Sequence, residues 1–159
     1  MFKTHKHNVE CYMTTETLPK GYMVNGNDRP FQEMADKNDP DFQRGGGNPD
    51  DGGRWRALIT PDTIPNANMI LGIYSLDPGE THLMHYHVTA AEFYYVLSGS
   101  GKFVMGEEEF RGEPGKLFYM PAEVNHLVHN DGDEPLTMVF GFDCGDLKDA
   151  KMVWVDPPK

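Results

Sequence analysis

The chain has 159 residues, of which 38% belong to the apolar set AVILMFWYC and 25% are charged, with a formal net charge of −11. That length suits one domain with a core of its own, and the composition excludes a wholly disordered chain. The surplus of acid argues against a nucleic-acid backbone or an anionic membrane as partner, because both need a basic face. A small anionic substrate stays open, since a pocket can carry its own local charge.

The longest apolar stretch worth testing, Met69-Ile70-Leu71-Gly72-Ile73-Tyr74, falls far short of the roughly 20 residues a spanning helix needs. Met1-Phe2-Lys3-Thr4-His5-Lys6-His7 has no apolar run after its charges, so it does not read as a secretory signal. The expected location is therefore the cytoplasm, with Cys11 and Cys144 as reduced thiols rather than a disulfide.

Residues 1–53 are poorer in apolar side chains than residues 54–159. They end in Gly45-Gly46-Gly47-Asn48-Pro49-Asp50-Asp51-Gly52-Gly53, which has no apolar side chain and reads as a flexible surface link. We therefore expect an N-terminal extension over 1–53 and a folded unit over 54–159. Tyr12, Tyr22, Met23, Val24, Phe31 and Phe42 could pack the extension onto the domain as an arm or lid, or as a wrap that covers an edge strand. Ala35-Asp36-Lys37 is the one helix-tolerant spot.

From Arg54 onward, strand signals alternate with turn signals. Strands are expected at Trp55–Thr60, Ala67–Leu76, His82–Val88, Glu92–Ser98 and Gly101–Met105. Others follow at Glu109–Arg111, Leu117–Met120, Asn125–Asn130, Pro135–Phe142 and Met152–Val155. Short strands at this spacing, with no sustained helical period, predict an all-β sandwich or barrel.

The strongest chemical signal is His85-Tyr86-His87 followed by Glu92. Residues two apart on a strand face the same way, so both imidazoles share a face. Glu92 opens the next strand after a short turn and can return to that face, and His126 offers a third imidazole. Three neutral imidazoles and a carboxylate suit one divalent transition metal, with Fe, Mn, Zn and Ni all open. Strand alternation should turn His82 away from His85, and His129 away from His126. His5 and His7 form a second such pair, but with no third ligand in view. They read as solvated side chains.

The glycines and proline around these ligands sharpen the reading. Gly79, His85, His87, Glu92 and Gly99, then Gly115, Pro121, His126 and Asn130, resemble the two ordered motifs of the cupin superfamily. The resemblance covers about residues 54–143. It implies a jelly-roll barrel with the metal inside, held by His85, His87, Glu92 and His126. One departure is Glu123, where the family usually has Gly, which implies a different turn geometry. Asn130 is expected to fix a turn rather than touch substrate.

A bound divalent ion can polarise a substrate oxygen, activate water, or hold dioxygen beside a chelated substrate. Tyr94, two residues after Glu92, should share the inward face. Its phenol could bond a metal-bound group, or act as a base if its pKa falls from about 10, or simply fill the barrel. Phe118, Met120, Val128, Phe140 and Phe142 are candidate pocket walls, about half of them inward. Arg54 and Arg56 share a face that could receive a substrate carboxylate or merely be solvated. Tyr86, Phe93 and Tyr95 should point outward and would suit a homodimer interface. The run His85-Tyr86-His87 to Ala91-Glu92-Phe93-Tyr94 also resembles the cupin-type dimethylsulfoniopropionate lyases, which use a tyrosine base. That resemblance is local, and the His87 to Glu92 spacing is one residue longer than expected for those lyases. Three classes follow: a metal-dependent lyase acting on a small carboxylate with Tyr94 as base, an Fe(II) dioxygenase, and a non-catalytic binding barrel.

Overall fold

The computed structural model describes residues 21–34, 48 and 50–155. Cys11, Tyr12, Phe42, the His5/His7 pair and Ala35-Asp36-Lys37 lie outside those residues. The described elements are a 3-10 turn at Gly26–Asp28, then β1 (Gln32–Glu33), β2 (Arg54–Ile59), β3 (Ile70–Leu76), β4 (Thr81–His87), β5 (Glu92–Ser98) and β6 (Gly101–Met105). They continue with β7 (Glu108–Gly112), β8 (Leu117–Met120), β9 (His126–His129), β10 (Leu136–Phe142), a four-residue helix α1 (Leu147–Ala150) and β11 (Met152–Trp154).

The strands form two antiparallel sheets, ordered β1-β2-β3-β10-β5-β8 and β11-β4-β9-β6-β7. The fold is the all-β jelly-roll barrel that the motifs imply. Each strand from Arg54 on answers a strand read from the sequence. Period-2 patterning explains the inward faces. On β5, Glu92, Tyr94 and Val96 are buried while Tyr95 and Leu97 are exposed. From β3 on, consecutive strands change sheets except at the β6–β7 hairpin, so β4 and β5 lie in opposite sheets and present their side chains to each other across the interior.

That interior is filled by Ile70, Leu76, Val96, Phe103, Leu136 and Met138 among others, all essentially buried. The five candidate wall residues Phe118, Met120, Val128, Phe140 and Phe142 are all buried rather than half of them. Phe118 with Met120, and Phe140 with Phe142, stand two apart on one strand, so each pair must share a face.

Three local expectations are corrected. The Gly-rich link does not stay on the surface through to its end. Asp51 is buried, the Gly52 N–H donates to the Thr81 carbonyl at 2.8 Å, and the Tyr74 hydroxyl donates to the Gly52 carbonyl at 2.6 Å. Gly53 makes this turn possible. Its φ is +92°, and a Cβ there would sit 2.8 Å from the Tyr74 oxygen.

Glu123 does not change the turn it occupies either. It takes φ 67°, the left-handed conformation that favours glycine, and its N–H donates to the His87 carbonyl at 2.8 Å. Arg54 and Arg56 are neither free for a ligand nor simply solvated. Arg54 forks onto Asp77 at 2.8 and 3.0 Å, and the Arg56 guanidinium lies 3.8 Å from the centre of the Phe31 ring. Phe31 and β1, which pairs with β2, thus seat part of the extension along the sheet edge.

Candidate metal centre

His85 and His87 stand on β4, and His126 stands directly opposite His85 on the neighbouring β9. Glu92, the first residue of β5, reaches them from the facing sheet rather than returning to their own. One potential ligand atom from each residue lies within 4.8 Å of all the others, and all four side chains are buried. The Glu92 Oε2 is 2.9 Å from His126 Nε2, 3.2 Å from His87 Nε2 and 3.9 Å from His85 Nε2.

Backbone carbonyls set the ring orientations. The His85 Nδ1–H donates to the Leu83 carbonyl at 2.7 Å, and the His126 Nδ1–H donates to the Val124 carbonyl at 2.9 Å. With Nδ1 carrying the hydrogen, each neutral ring turns an Nε2 lone pair toward the Glu92 carboxylate. Acceptors therefore converge on acceptors in a dry site. The buried His85 Nε2 and His87 Nδ1 have no hydrogen-bond partner. Such a cluster suits a positive charge at its centre, a metal ion or a proton shared by a ring and Glu92, and lacking both would cost several kcal/mol. The donor set fits a divalent transition metal.

The electrostatics point the same way. Burial, then the neighbouring His82 and His126 rings, push His85 well below the ordinary imidazole range, which keeps it neutral. Burial opposes the ionisation of Glu92, but the His126, His85 and His87 rings outweigh it and hold the carboxyl well below its usual range. Tyr94 is buried beside this cluster, its ring centre 6.5 Å from that of His126. Burial and then the Glu92 charge raise its phenol well above the ordinary value, so it is protonated here.

A cavity of about 670 Å³ opens onto the cluster, lined by His87, Glu92, Tyr94, Phe140, Phe142 and Trp154 among others. Phe118, Met120 and Val128 belong to the packed core behind it. His129 bonds Thr81 through Nδ1 at 2.8 Å, away from the cluster. Asn130 fixes its turn by donating to the carbonyls of Leu76 and Glu134, both at 2.9 Å.

His82 is the misplaced residue. It does not turn away: it is buried, and its ring centre lies 4.3 Å from that of His85. The β4–β9 register shifts between His82 and His85, so simple alternation fails across that step. The His82 Nδ1–H donates to both Asp51 oxygens, at 3.0 and 2.9 Å, and the Leu83 N–H donates to Asp51 Oδ1 at 2.7 Å. Neither the buried Asp51 nor Trp154 is singled out by the sequence. A lone acid in a Gly-rich stretch and a Trp near the end of the chain carry no spacing signal.

The Cupin domain family model matches residues 72–142, the stretch that holds all four clustered residues. An uncharacterised protein of Methanocaldococcus jannaschii is 30% identical over 89 residues, covering 56% of this chain and 71% of its own length. The chain belongs to the cupin superfamily. Another relative, the tetracenomycin polyketide synthase protein TcmJ of Streptomyces glaucescens, is 33% identical, matched over 56% of this chain and 60% of its own length. The chain therefore spans less than two thirds of that relative. An oxalate decarboxylase of Bacillus subtilis shares the fold with a TM-score of 0.57 at 22% identity, over 66% of this chain and 28% of the other. Mn(II) centres are described for that enzyme.

Proposed function

We propose that this cupin is a metal-dependent enzyme acting on a small carboxylate-bearing molecule, and that the reaction is a lyase-type β-elimination. His85, His87, Glu92 and His126 would hold the metal. The observation that carries this reading is the convergence of imidazole lone pairs on the Glu92 carboxylate inside a dry barrel. A bound divalent ion would supply Lewis acidity toward a substrate carboxylate, and its charge would offset that of Glu92.

The chain's own residues then have distinct tasks. Phe140, Phe142 and Trp154 wall the cavity and limit water at the reacting centre. The Tyr94 phenol, held protonated here by burial and Glu92, would be drawn toward ionisation by a bound cation; as phenolate its oxygen takes the proton from the carbon next to the carboxylate, and the substituent on the following carbon leaves with its bonding electrons. Mn(II) heads the candidate ions because a neighbour in fold carries it, with Fe, Zn and Ni behind. The enzyme is further taken to be a cytoplasmic homodimer. The exposed Tyr95, Leu97, Leu117 and Tyr119 on the outer faces of β5 and β8 support an interface there. Residues 1–53 are taken as an arm laid on a barrel that spans 54–159.

Elemental analysis of the purified protein tests the centre, with oxygen uptake recorded on the same sample as candidate chelating carboxylates are added. About one divalent ion per chain and no oxygen uptake fit the lyase. Iron with oxygen uptake moves the assignment to an Fe(II) dioxygenase, and no metal leaves a binding barrel. Tyr94→Phe should abolish turnover and spare metal content; an active variant removes Tyr94 as the base.

A further inference from the structure

The metal reading leaves a second polar group in the same cavity unused. His82 is bonded through Nδ1 to Asp51, and its ring lines the cavity. Asp51 is held from the other side by the Leu83 N–H. A carboxylate only accepts, so the Nδ1 side carries the hydrogen and Nε2 is the nitrogen left for a ligand. The side chains are almost fully withdrawn from solvent, at 6% for His82 and 1% for Asp51, yet His82 lines the cavity. Packing also fixes the ring, with Tyr74 at 5.0 Å and Trp154 at 6.1 Å between ring centres.

We infer that His82 Nε2 hydrogen-bonds a second oxygen function of the substrate, and that Asp51 positions the ring for it. This deepens the proposed function and rests on it. One carboxylate of the substrate lies at the four-residue cluster, and a hydroxyl that donates to Nε2 lies at His82. The His82 and His85 ring centres are 4.3 Å apart, so the two functions sit on a short carbon chain. The substrate class is thus a small hydroxy acid rather than a diacid or a simple fatty acid.

Three probes of equal carbon count separate the possibilities: propanoate, 3-hydroxypropanoate and malonate. Their dissociation constants are measured by calorimetry on the full chain with the metal it carries as purified. 3-Hydroxypropanoate should bind about fivefold or more tightly than propanoate, the size of one well-placed hydrogen bond. A gain for 3-hydroxypropanoate assigns the hydroxyl, and a gain for malonate alone, whose carboxylate has no proton to give Nε2, overturns it. In His82→Phe that ratio should fall to about one. In His82→Gln, which keeps a polar group, part of it should survive.

Asp51→Asn guards against a His82 variant that does not fold. The Leu83 N–H would keep the amide oxygen, so the amide NH₂ would face Nδ1 and drive the ring hydrogen onto Nε2. The ratio should change by at least about threefold while the cooperative melt is retained. Equal binding of all three probes to the metal-loaded wild type overturns the assignment, as does a ratio that survives both His82→Phe and Asp51→Asn. Metal content of the same samples keeps the two readings apart. A metal-free wild type removes the metal centre, whereas a metal-loaded one with no ratio removes only the role of His82.

Discussion

The two ends of the barrel interior are built on opposite principles. At one end Phe103 stacks on Phe118, with ring centres 4.0 Å apart and planes 8° from parallel, among Val96, Leu136 and Met138. The packing there is so close that a Cβ on Gly112 would lie 2.1 Å from the Phe103 ring. At the other end His82, His85, His87 and His126 crowd around Glu92 and Asp51, and two buried ring nitrogens lack partners. The apolar end gains stability from area removed from water. The polar end gives up stability for a geometry that only a cation or ligand completes. One sheet pair thus carries a rigid plug and a strained socket, and the plug supplies the stability that lets the socket persist.

Substitutions at the two ends should separate these roles. Phe103→Ala should cost about 3–5 kcal/mol by opening a cavity in the plug, read as a lowered denaturant midpoint, with metal stoichiometry of the folded chain unchanged. Loss of metal in that variant would mean that the ends are not separable. His126→Ala should weaken metal binding at least tenfold, about 1.4 kcal/mol, with a smaller loss of stability in the metal-free chain. Unchanged stoichiometry would remove His126 from the ligand set.

Acid should act first at the socket. In the metal-free chain the folded Glu92 binds its proton less readily than the unfolded one does, whose value is about 4.3. Its stabilisation is therefore complete above that value and is lost as pH falls through the depressed folded value. Glu92→Gln should flatten the loss of stability below about pH 4. His82 carries the opposite sign. Its raised value, where Asp51 outweighs burial, gives stability below about pH 6.5 that is lost as pH rises through the folded value. An Asp51→Asn chain that keeps the wild-type profile above pH 6.5 would show that the pair contributes nothing there.

How much of this was legible in the sequence follows from which rules are local. Period 2 places His85 with His87, and Glu92 with Tyr94, because nothing interrupts the strand between them. The same rule fails for His82, since a register shift sits between it and His85 and no residue in Thr81–His87 marks it. Asp51 was illegible for a different reason. Its burial depends on its bonds to His82 and Leu83 and on the neighbouring Gly52 bond to Thr81, some thirty residues on, and a Gly-rich stretch advertises only freedom. The pairing of Arg54 and Arg56 with Phe31 and Asp77 is likewise tertiary.

Glu123 offers the smallest and sharpest test. Its side chain is exposed, so little packing is at stake, yet its backbone holds φ 67° between His87, whose carbonyl it bonds, and His126 three residues on. A left-handed non-glycine residue costs roughly 1–2 kcal/mol. Glycine removes that strain but gives back about 0.5–1 kcal/mol through the freedom of the unfolded chain. Glu123→Gly should therefore stabilise by about 0.5–1 kcal/mol, a rise in melting temperature of about 1–4 °C. Glu123→Val should destabilise, because a β-branched side chain tolerates this φ poorly. A lower melting temperature for the glycine variant would mean that the Glu123 side chain contributes something its exposed position does not reveal. Metal affinity should stay the same in both variants, because the turn supplies no ligand. A change there would show that the polar end depends on the tightness of this turn as well as on its four side chains.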